Sequence, residues 1–104
     1  MIKIRTETKT VKILLNELFP KETFSIQLKQ PSSYVYSSDK IKIKCPKSVN
    51  ANDVIIALKN YVYNICVFEK GSMASVWDTN IEPYIKMPNG DKIDMDMVEF
   101  IEVQ

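Results

Sequence analysis

The sequence predicts an α+β domain, with two helices packed on one face of a mainly antiparallel sheet in the order α-β-β-α-β-β-β. Three features of the chain lead there. An apolar stripe at helical spacing lies in the first twenty residues, two segments alternate apolar and polar residues at strand period, and an Asn-Gly turn separates two further alternating segments. A chain of 104 residues fits a single domain around one modest core. Hydrophobic residues at 45% and charged residues at 26% are globular rather than disordered values.

Residues 2–5 alternate as Ile-Lys-Ile-Arg and read either as a short strand or as a lead-in. From about Thr8, the apolar residues Val11, Leu14, Leu15, Leu18 and Phe19 fall at i, i+3, i+4, i+7 and i+8, the stripe of an amphipathic helix. Pro20 has no amide hydrogen to continue it, so the helix stops near Phe19. Over residues 23–30, Phe24, Ile26 and Leu28 alternate with Ser25, Gln27 and Lys29, as in a half-buried strand. Residues 31–39 have loop composition but hold Tyr34 and Tyr36, which makes them a candidate binding loop. Lys40, Lys42 and Lys44 then alternate with Ile41, Ile43 and Cys45, so the lysines face out and the others in until Pro46 ends the strand. Ser48 or Asn50 caps a second helix with Asp53 in its first turn, and Val54, Leu58, Tyr61, Val62 and Ile65 carry its stripe to about Cys66. Val67 and Phe68 either extend that helix or open a new element. Residues 71–80, with the single Trp77, form a connection. Residues 84–87 and 92–95 flank Pro88-Asn-Gly-Asp91, a strong hairpin signal, and residues 98–103 supply a last strand that closes the sheet.

Composition excludes several classes of function. No apolar run approaches the roughly 18 residues of a membrane-crossing helix, and the first residues lack a signal peptide's apolar block, so a soluble cytoplasmic protein is expected. Histidine is absent, which removes the commonest general base and the commonest transition-metal ligand together. Gly71 and Gly90 are the only glycines, too few for a P-loop or a GxGxxG turn. Cys45 and Cys66 stand far apart with no partnering base and read as buried small hydrophobes. A non-enzymatic protein without cofactor or metal is expected.

The charge is divided along the chain. Residues 1–50 carry ten Lys or Arg against four Asp or Glu, and residues 51–104 carry four against nine, so halves of +6 and −5 sum to +1. Such asymmetry steers partners. Lys40, Lys42 and Lys44, spaced roughly 7 Å apart along one strand, make with Lys29 a candidate basic face for nucleic acid or an acidic protein surface. Tyr34 and Tyr36 offer stacking faces beside it. The competing account is a lysine-guarded sheet edge, with the tyrosines covering a hairpin end. Asp91, Asp94 and Asp96, with Glu99 and Glu102, fail the calcium-loop spacing and read either as solvated carboxylates or as an acidic patch for a partner's basic groove. Trp77 is either core or an interface anchor.

The stretch Thr10-Val-Lys-Ile-Leu-Leu-Asn-Glu-Leu-Phe-Pro-Lys-Glu-Thr-Phe-Ser-Ile-Gln, followed by Ser38-Asp-Lys-Ile-Lys-Ile-Lys, resembles the large polyvalent protein-associated domain family over residues 8–66. The shared features are the Phe19-Pro20 turn after an amphipathic helix and the Phe24-Ser25-Ile26 strand opening. After Ile43 the chain departs from the family, with Lys44-Cys45-Pro46 in place of a Trp-containing strand end. The resemblance implies a phage or mobile-element context and carries over no catalytic residue. With the split charge, it leads to the expectation of a small binding protein that inhibits a host defence complex, of anti-CRISPR or anti-restriction type. A nucleic-acid-binding accessory protein using the lysine strand is the alternative.

Overall fold

The computed structural model describes residues 6–29, 39–72, 82–95 and 98–104. The alternation at residues 2–5, the loop with Tyr34 and Tyr36, Trp77 and Asp96 lie outside them.

Helix α1, Thr6–Leu18, buries Val11, Leu14 and Leu15 completely, as its stripe predicts. Phe19 still donates its amide to the Leu15 carbonyl at 2.8 Å, and Pro20 ends the ladder there. The Phe19 ring then meets Phe24 edge to face at 5.6 Å, fixing the entry into strand β1, Ser25–Lys29. Strand β2, Asp39–Lys44, pairs antiparallel with β1 and sets Gln27 opposite Lys42 and Lys29 opposite Lys40. Asn50 caps helix α2, Ala51–Lys59, its side-chain oxygen accepting from the Asn52 amide at 2.8 Å. Val54, Ile55 and Leu58 form the buried side of that helix.

Helix α2 ends at Lys59, not near Cys66 as the apolar stripe suggested. The next residues run Tyr-Val-Tyr-Asn-Ile-Cys-Val-Phe, β-branched and aromatic types that lose rotamer freedom in a helix and suit a pleated surface. They form strands β3, Val62–Tyr63, and β4, Cys66–Glu69. Between the strands Asn64 adopts a left-handed φ of 56°. Val62 and Ile65, three positions apart, both end up buried on either side of that reversal. A helical spacing was thus produced by two strands and a bend.

Strands β5, Tyr84–Lys86, and β6, Lys92–Asp94, form the expected hairpin. Its turn places Pro88 and Asn89 centrally, Gly90 donates to the Met87 carbonyl at 2.9 Å, and the Met87 amide donates to the Asp91 carbonyl at 2.7 Å. Gly90 has φ 98°, a left-handed position that glycine takes without steric cost. Strand β7, Val98–Val103, is the last element.

The strands form two sheets. The principal sheet has the order β1-β2-β7-β4 and the smaller one β3-β5-β6. Three of the five strand pairings are antiparallel, and the two parallel ones both involve β7. The expected α+β order therefore stands, with β3 and β4 added where the end of α2 had been expected. Both helices contribute to one core with Ile41, Ile43, Val67, Ile101 and Val103 of the principal sheet. In β7, Asp39 faces Val98 while Lys40 faces Phe100, so Glu99 is an extra, bulged residue. The bulge lets Val98 and Ile101 both reach the core although strict alternation would separate them.

Ile101, fully buried on β7 between β2 and β4, is a critical packing position. Ile101→Ala lowers the unfolding free energy in urea by about 2–5 kcal/mol. Gly90→Ala, which meets no neighbour but forces a side chain into the left-handed region, costs about 1–2 kcal/mol in the same measurement.

Candidate docking face on the principal sheet

Residues paired across strands project to the same side of a sheet. The side away from the helices carries Ser25, Gln27 and Lys29 from β1, and Lys40, Lys42 and Lys44 from β2. It continues with Phe100 and Glu102 from β7, and with Cys66 and Phe68 from β4. Ser25, Gln27, Lys29, Lys42, Lys44 and Gln104 line a groove of about 280 Å³ across its basic half. The structure thus brings together the four lysines named from sequence. It also bears on the edge-guarding account of the lysine strand. Strand β2 lies inside the sheet, hydrogen-bonded to β1 on one side and β7 on the other, so Lys40, Lys42 and Lys44 guard no edge of the folded molecule. Only Lys29, on the edge strand β1, can do so.

Glu102 sits at the centre of this face and is only 7% exposed. Its carboxylate lies 3.5 Å from Lys40 Nζ and 3.8 Å from Lys42 Nζ, and Gln104 Nε2 donates to it at 3.4 Å. Lys29 and Lys44 make no ion pair among the described residues. Four ammonium groups against one carboxylate leave a local charge of +3. Among the described residues, the two halves of the chain are therefore partly neutralised across the sheet through Glu102. Phe68 and Phe100, half-buried beside it, meet edge to face at 6.3 Å.

The other acidic candidates lie elsewhere. Asp91 belongs to the β5–β6 turn, where its carboxylate accepts from Asn89 Nδ2 at 3.1 Å, and Asp94 is exposed on β6 opposite Tyr84. Neither joins the lysine face, and Asp96, Tyr34 and Tyr36 fall outside the described residues. Across the smaller sheet, Tyr63 and Tyr84 stack at 4.6 Å with their planes 4° apart, and Lys92 Nζ lies 4.5 Å over the Tyr84 ring.

Among the described residues no three His, Cys, Asp or Glu side chains gather to hold a metal. Both cysteines are free and half-buried rather than fully buried, and burial pushes the Cys45 thiol up, away from the reactive thiolate. Among the described residues no helix is long and apolar enough to cross a membrane.

Sequence reasoning missed the aromatic half of the face. Phe68, which the sequence allows either to extend the second helix or to open a new element, lies in β4. Phe100 shares its parity with the buried Val98, yet the Glu99 bulge puts the two on opposite faces, and no local pattern declares that. No family model, no curated protein and no solved structure matches the chain.

The Lys40 and Lys42 side chains remain 34% and 31% exposed, so water screens their pairing with Glu102. Glu102→Gln consequently changes the urea-unfolding free energy by no more than about 1 kcal/mol.

Proposed function

We propose that this chain is a small non-catalytic binding protein whose lysine face docks on an anionic surface of a host nucleoprotein complex. The observation that carries this is the convergence of Lys29, Lys40, Lys42 and Lys44 on one side of two paired strands, over a polar groove. Strand β2 is interior in the finished sheet, so its three lysines are available to a partner there and guard no edge of the folded molecule. The site has one buried carboxylate fixed by two lysines, which organises the cations without cancelling them. The resemblance over residues 8–66 supplies the phage or mobile-element setting, in which the complex is a CRISPR effector or a restriction enzyme and docking inhibits it.

Lys29 and Lys44 provide the sharpest test because neither is tied to Glu102. Lys29→Ser with Lys44→Ser leaves two cations against one carboxylate and reduces the local charge from +3 to +1. In titrations with inorganic polyphosphate at 50 mM salt, the double variant binds at least about tenfold more weakly than wild type. Equal affinities would remove the basis for a basic docking face. Protection of phage plating in a restricting or CRISPR-carrying host, lost in the double variant, checks the inhibitory role.

A further inference from the structure

Resting on that reading, we infer that the anionic partner is single-stranded nucleic acid, with its phosphates over the β1–β2 lysines and its bases against Phe68 and Phe100. The face has two unlike halves, the lysines of β1 and β2 and the rings of β7 and β4, and Glu102 lies between Lys42 and Phe68. On one side lie the cations and the polar groove. On the other are two half-buried phenyl rings: Phe100, opposite Lys40 and one strand spacing from β2 (about 5 Å), and Phe68 on β4, two spacings away (about 10 Å). Because the rings meet edge to face, the ring that contributes its edge keeps both of its own faces clear of its partner. An acidic protein surface would use the lysines and leave the rings unoccupied. A duplex would present phosphates but keep its base faces stacked within itself. A single strand offers both a phosphate row and free π-faces, and it is the ligand that satisfies both halves. Glu102 also biases its path, because its carboxylate, opposite Phe68, repels phosphate from β4 and favours a backbone over the lysines of β1 and β2.

The test compares a labelled 12-mer of deoxythymidine with an abasic phosphodiester of the same length, by fluorescence anisotropy, alongside the polyphosphate titration. With a net local charge of +3 and a slope of about −0.7 per charge, affinity for the 12-mer falls about 20-fold between 50 and 200 mM salt. The intact strand binds wild type at least about tenfold tighter than the abasic one, since each stacked base contributes on that scale. Phe68→Leu with Phe100→Leu removes that advantage and leaves abasic affinity unchanged, which also reports that the sheet is intact. Equal binding of intact and abasic strands by wild type overturns the inference, while retained polyphosphate binding keeps the docking face. An advantage that survives the double phenylalanine variant overturns the assignment of the bases to these rings. Failure to bind polyphosphate overturns both the inference and the reading beneath it.

Discussion

Strand β7 is the constraint on which both faces of the principal sheet depend. It is hydrogen-bonded to β2 on one side and β4 on the other, and the parallel ladder continues past its end as Gln104 donates to Ile43 and accepts from Cys45, each at 2.8 Å. Inward, it supplies Val98, Ile101 and Val103 to the core. Outward, it supplies Phe100 and Glu102, which divide the exposed face into its aromatic and basic halves. A one-residue slip in its pairing would exchange these two sets, burying a carboxylate and exposing an isoleucine, so the hydrophobic pattern and the charge pattern select the same register. The bulge at Glu99 reconciles that register with the extra apolar residue at Val98.

Much of this architecture was legible where a single period was present. The helical stripe of α1, the alternation of β1 and β2, the Asn50 cap and the β5–β6 hairpin all follow from local patterns that tertiary packing had no reason to override. The failure lay at residues 60–68, where Val62 and Ile65 satisfied a helical spacing by chance of a bend at Asn64. Propensity favoured the strand there, and periodicity concealed it. The basic half of the docking face was legible because lysines alternating with isoleucines declare their own orientation. The aromatic half was not, because the side on which Phe100 emerges depends on a bulge that only strand pairing defines.

The division of charge along the chain takes a different form in space. Glu102 is drawn into the basic face and held there by Lys40 and Lys42, whereas Asp91 and Asp94 occupy the hairpin of the smaller sheet. A carboxylate held between two lysines restrains their rotamers, so the two cations keep less conformational freedom than Lys29 and Lys44. The hairpin also carries Lys86 and Lys92, which balance Asp91 and Asp94, so it adds no net charge against the +3 of the lysine face.

The position of β7 in the chain has a consequence for how the sheet is made. All three of its companions in the principal sheet precede it, so β2 and β4 stand without their shared neighbour until residues 98–103 have left the ribosome. Closing the sheet then joins residues about sixty positions apart, a pairing that is slow because loop closure precedes its reward. During that interval β2 is an open edge, and a lysine at every second position opposes its pairing with another chain. The lysines that stand inside the finished sheet thus act as gatekeepers of the nascent one.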